Sequence, residues 1–152
     1  MLFLFYLEYL KKIFFIILYQ IIYLMYHTRH FSVNEALSLL PDLKTKLSKI
    51  TELKRSLDEK GYDIYRHQYF GGIGPNGTGK YPAELEEMIV LVNSIRGKGI
   101  LLKGLDNGLV DFPHIRDNGE EVYLCYLLGE ESIDYWHTIE EGFGGRKNIE
   151  DL

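Results

Sequence analysis

The sequence predicts an α+β fold in which a long antiparallel helical hairpin is followed by a small antiparallel sheet of about four strands. Three observations predict it. Leucines recur at helical spacing through residues 37–57, a second apolar stripe opens behind Pro82, and from Gly99 the pattern changes to short alternating runs separated by Asp-Asn-Gly turns. The chain has 152 residues, which is room for one domain with a proper core. The organisation read from it is an apolar extension over 1–26 and a single domain over 27–152, with the hairpin at 32–98, the strand region at 99–139 and a tail at 140–152.

The first helix opens at Ser32, with Glu35 three residues on. That pair forms a capping box, each side chain satisfying an orphan N–H of the first turn. Leu37, Leu40, Leu43, Leu47, Ile50, Leu53 and Leu57 follow at steps of three and four, with Lys44, Lys46, Lys49, Glu52, Lys54 and Arg55 on the other faces. The helix is expected to end near Gly61. Pro41 is expected either to kink it or to mark the true first turn of a longer second piece, with Leu40 outside the α region. A heptad-like leucine stripe of this kind resembles a coiled coil, so a homodimer through leucines left over from packing is expected.

The second helix is expected to begin at Pro82, a good first-turn residue, with Glu84, Glu86 and Glu87 near its positive end. Leu85, Met88, Ile89, Val92 and Ile95 form its stripe, and Gly97 and Gly99 end it. Four strands are expected: Gly99 to Leu105, Leu109 to Ile115, Glu121 to Leu128 and Ile133 to His137. Asp106-Asn107-Gly108 and Asp117-Asn118-Gly119 tolerate positive φ and should join consecutive strands as hairpins. The glycine-rich tail from Glu140 reads as a loop lying over the sheet.

Between the helices, Gly74-Pro75-Asn76-Gly77-Thr78-Gly79-Lys80 imitates a nucleotide-binding loop. The position whose hydroxyl should hold magnesium is Tyr81, Pro82 follows it, and no apolar strand precedes the loop. The residues therefore argue against ATP as a cofactor, and the loop is expected to be a connection between helices.

Composition excludes several classes. The net charge is −5, and because residues 1–26 hold only Glu8, Lys11 and Lys12, a net +1, the rest carries −6. An acidic domain without a basic run is poorly suited to nucleic acid. The single Cys125 excludes an internal disulfide framework and points to a reducing cytoplasm. Residues 1–26 are almost wholly Leu, Phe, Ile and Tyr, but Glu8, Lys11 and Lys12 interrupt them, leaving too short an uninterrupted run for a spanning helix. No small-residue cleavage site follows. One reading takes the segment as a membrane anchor whose lysines reach the interface. The preferred one places the authentic start at Met25, because Ala, Gly, Ser, Thr, Val and Pro are all absent upstream and the residues present use A/T-rich codons.

From Phe31 to Arg146 the chain resembles an uncharacterised prokaryotic family, domain of unknown function 2203. The resemblance rests on Phe31, Glu35-Ala36, Leu39-Leu40-Pro41 and the run Gly104 to Pro113. It continues in Arg116, Glu121 to Cys125, Gly129-Glu130, Tyr135-Trp136-His137 and Gly142 to Arg146. It implies no activity. The family pattern starts near Phe31 and leaves residues 1–24 without a counterpart.

The candidate site lies among polar residues embedded in the strand half. The ligand-binding candidates are Asp111, Arg116, Glu121, Cys125, Trp136, His137 and Arg146, and the metal-ligand candidates are Asp111, His114, His137 and Glu141. Imidazole with carboxylate suits a divalent metal of the zinc or iron type. Arg116 and Arg146 suit bidentate grip on a small anionic ligand, with His137 as acid or base. Alternation puts Cys125 on the face of Glu121, and Tyr135 with His137 opposite Trp136. The structural alternative makes His137 a satisfied core histidine, Asp111 a hairpin brace, Arg116 with Glu121 a cross-strand pair, and Cys125 an inert core thiol. The function expected is a small binding or interaction domain that self-associates and engages a protein or anionic partner. A metal-dependent enzyme is the rival.

Overall fold

The computed structural model describes residues 7–17, 25–72 and 81–152. The phosphate-loop imitation at 74–80 lies outside the described residues, and so do the ends of the apolar extension. Within the extension, residues 7–17 are helical (α1), with Tyr9, Phe14, Phe15 and Ile16 all more than half exposed. No described helix is long and apolar enough to cross a membrane.

Helix α2 runs Val33–Glu59. Its start is the capping box: Ser32 Oγ accepts from the Glu35 N–H, and the Glu35 carboxylate accepts from the Ser32 N–H. Pro41 neither breaks nor restarts it. The helix is continuous through Leu40 and Pro41: an interior proline removes one i→i−4 hydrogen bond, but Leu40, Leu43 and Leu47 are buried in the core on either side of it. At the far end Gly61, with φ +70°, turns the chain. Its N–H donates to Asp58 O while that of Tyr62 donates to Leu57 O, the paired bonds of a Schellman motif.

Helix α3 spans Ala83–Arg96, one residue later than expected, with Pro82 in extended conformation just outside it. Lys60 pairs with Glu84, and Lys98 with Asp42 at 2.8 Å, so the two helices run in opposite directions. They are not matched arms: α2 has 27 residues and α3 has 14. The described part of the connection contains two 3-10 turns, Ile64–Arg66 and Gln68–Phe70. The leucine stripe of α2 is consumed inside the chain. Leu40, Leu43, Leu47, Leu53 and Leu57 are all buried together with Leu85, Met88, Val92 and Ile95 of α3, while Leu37 and Leu39 are partly buried against the same core.

Among the described residues the sheet has five antiparallel strands in sequence order, not four: β1 Leu101–Gly104, β2 Leu109–Ile115, β3 Glu121–Leu127, β4 Tyr135–Thr138 and β5 Lys147–Asn148. The fifth comes from the tail, which lies beside β4 instead of over the sheet. Both Asp-Asn-Gly segments form the expected turns, with Gly108 at φ +65° and Gly119 at φ +84°. Gly108 is also sterically required, since a Cβ there would sit 2.7 Å from Leu128 Cβ.

Register divides the sheet into two faces. Val110, Phe112, Val122, Leu124, Tyr126 and Trp136 share the one that joins the helices in the core. Asp111, Pro113, Tyr123, Cys125, Tyr135 and His137 share the other. That second face is where buried polar groups gather.

Candidate functional site

Asp111 lies opposite Cys125, and His137 opposite Tyr123, so the His137 ring reaches across β3 toward the β2 carboxylate. His137 Nε2 stands 3.2 Å from Asp111 Oδ1. One ligating atom from each of Asp111, Cys125 and His137 lies within 4.8 Å of the others. All three residues are buried, at 3%, 0% and 3% exposure. Among the described residues no other group of three His, Cys, Asp or Glu side chains converges in this way.

The hydrogen bonds around His137 fix its tautomer. Nδ1 faces the Thr138 carbonyl at 2.8 Å, and a carbonyl only accepts, so Nδ1 carries a hydrogen. Nε2 then faces a carboxylate oxygen. Two arrangements satisfy that contact: a proton held between ring and carboxylate, or a metal ion bound by both. Burial disfavours the charged ring, but the hydrogen bonds to Asp111 and the Thr138 carbonyl outweigh it, and the His137 pKa is raised. The Cys125 thiol is pushed up to about 12 by burial first and by the Asp111 carboxylate second.

These facts decide between chemistries. A nucleophilic cysteine needs a low pKa and a histidine oriented by an acid through its far nitrogen. Here the thiol is protonated, and Asp111 occupies the ring nitrogen at which a nucleophile would have to sit. Metal ligation has the opposite requirements. A ligating histidine donates its other N–H to a carbonyl or carboxylate, as His137 does to Thr138. Ligand atoms around a tetrahedral zinc stand roughly 3.3–3.8 Å apart, so the three side chains need converge only slightly. A bound cation would deprotonate the thiol.

Around this cluster stand Glu121, already a candidate from the sequence, and four groups that the sequence did not mark: Lys103, Tyr123, His27 and His30. Lys103 Nζ is 3.9 Å from Asp111 Oδ2 and 5.2 Å from the centre of the Tyr123 ring. Tyr123 is edge-on to His137, with ring centroids 5.5 Å apart, and its hydroxyl meets His27 Nε2 at 2.6 Å. Glu121 accepts from the backbone N–H groups of Tyr26 (2.7 Å) and His27 (3.0 Å) and meets His30 Nε2 at 2.8 Å. The spacing His27-Thr28-Arg29-His30 was the available signal for the two histidines.

Other candidates fall elsewhere. His114 is on the opposite face, its Nδ1 against Phe31 O at 2.7 Å, and Glu141 is exposed, engaged with Thr138 and Lys147. Neither joins the cluster, so the ligand set of Asp111, His114, His137 and Glu141 is not assembled. Arg116 pairs with Glu120, not Glu121, and lies over Trp136. Arg146 pairs with Glu130 and lies over Tyr135 on the other face of the sheet. The two arginines therefore do not grip one ligand. Trp136 is buried on the core face with its indole N–H donating to Asn148 O. The open groove of about 770 Å³ lined by Lys44, Ser48, Tyr126 and Glu130 is walled by α2 and includes none of the three clustered residues.

No curated protein and no solved structure matches the chain. A family model described as an uncharacterised conserved protein matches residues 29–149, which take in α2, α3 and the whole sheet. The chain therefore belongs to that family, domain of unknown function 2203.

Proposed function

We propose that this is a metal-binding domain in which one divalent ion of the zinc type is held by Asp111, Cys125 and His137. The observation that carries the reading is the buried convergence of those three side chains with His137 Nδ1 tied to a carbonyl, leaving Nε2 for a cation. A thiolate in the set favours zinc over magnesium or calcium, which prefer oxygen ligands. Because the ligands come from β2, β3 and β4, the ion would pin three adjacent strands. Their burial favours a structural or binding role for the ion over turnover of a substrate. A thiol ligand also supports a reducing compartment.

The test is elemental analysis and zinc titration of the full-length protein prepared without an affinity tag. Close to one equivalent of metal is expected in the wild type, lost in Asp111→Ala and His137→Ala and sharply weakened in Cys125→Ser. A wild-type protein that takes up no zinc refutes the reading and leaves the buried Asp111–His137 pair sharing a proton.

A further inference from the structure

Residues 26–30 cross the rim of the cluster without belonging to any helix or strand. Immediately after them the chain is anchored to β2: the Phe31 N–H donates to Pro113 O at 2.7 Å, and the Phe31 carbonyl accepts from His114 Nδ1 at 2.7 Å. Phe31 itself is buried, edge-on to Phe112. Before that anchor, three of the strap's donors, the N–H groups of Tyr26 and His27 and the ring of His30, converge on one carboxylate, Glu121. The Glu121 side chain is only 8% exposed, so these bonds are made in a partly dry environment and are charge-assisted. The fourth contact is His27 on the Tyr123 hydroxyl, and the Tyr123 ring packs on His137.

Resting on the metal-binding reading above, we propose that residues 26–30 form a strap that controls entry and exit of the ion, with Glu121 as its latch and Tyr123 as the plug it holds down. Phe31 stays docked while the strap lifts, so opening needs no unfolding of α2 or the sheet. Releasing Glu121 removes the strap's main attachment and frees the Tyr123 ring to swing away from His137. None of Glu121, Tyr123, His27 and His30 ligates the ion; they position the cover.

The experiment loads the full-length protein with zinc and follows transfer of the metal to an excess of a chromophoric chelator. Loss of charge-assisted bonds of this kind is worth roughly a tenfold change in opening or more. Glu121→Ala is therefore expected to bind the same amount of zinc as the wild type and to release it about tenfold faster. Tyr123→Phe, which keeps the ring but loses its attachment to His27, should shift in the same direction, and Glu120→Ala, whose carboxylate faces Arg116, should not. Unchanged release from both Glu121→Ala and Tyr123→Phe overturns the strap while leaving the metal site intact. Loss of bound zinc in Glu121→Ala also overturns it, because Glu121 would then maintain the site itself. A wild type without zinc ends the metal-binding reading and the strap with it.

Discussion

Glu121 shows how much one side chain can organise. Burial alone would raise its pKa, but the contacts from His30 and from the Tyr26 and His27 N–H groups outweigh burial and hold it below the usual 4.5. A carboxylate depressed on folding contributes stability that is complete above its unfolded pKa and disappears as pH falls through the folded value. Acid unfolding of the wild type should therefore steepen below about pH 4.5, and Glu121→Gln should flatten that part of a stability-against-pH curve measured by urea unfolding; an unchanged curve would mean the contacts are not made in solution. The neighbouring cluster was only partly legible. Asp111, Cys125 and His137 each stand out as polar residues in apolar strands, and strand parity explains their meeting. The same parity also excludes His114, which is an odd number of residues from Asp111 and so faces the core. Glu141 follows β4 in a turn, where no alternation exists to place it. Lys103 gave no pattern at all and His27 only its spacing to His30, because what brings them in is the crossing of the strap and a neighbouring strand.

Among the elements, α2 was the most legible because every level of its sequence agrees: the cap, the leucine period and the glycine at its end. The capping box accounts for two bonds at its first turn, and replacing such a cap costs about 1 kcal/mol. Ser32→Ala should lower the free energy of unfolding by that amount with no change in the denaturant slope; a change below a few tenths would show that Glu35 holds the turn alone. Pro41 misleads in isolation, since its local preference for breaking a helix is overridden by the leucines buried on either side of it. The hairpins β1–β2 and β2–β3 followed from Asp-Asn-Gly, where the chain must turn with positive φ. By contrast β5 is two polar residues, Lys147 and Asn148, too short for any period. It exists because Trp136 donates to Asn148 O and the Ile149 N–H donates to Asp134 O, contacts that only the assembled sheet offers.

For the whole molecule, the family match and the packed core coincide over α2, α3 and the sheet, while α1 lies before both. Its described residues hold Tyr9, Phe14, Phe15 and Ile16 out from the protein. A chain beginning at Met25 should accordingly unfold within about 0.5 kcal/mol of the full-length chain, while sedimentation should show less association once that apolar surface is gone. A large loss of stability would instead make the extension part of the core. The sheet's own borders have a different consequence. One is β1, four residues long with a bulge between Leu102 and Gly104, and the other is the two-residue β5. Unpaired strand borders are templates on which foreign strands add, and short or bulged ones offer too few bonds in line. The fold thus carries its own resistance to fibre-like stacking, independent of whatever the buried cluster binds.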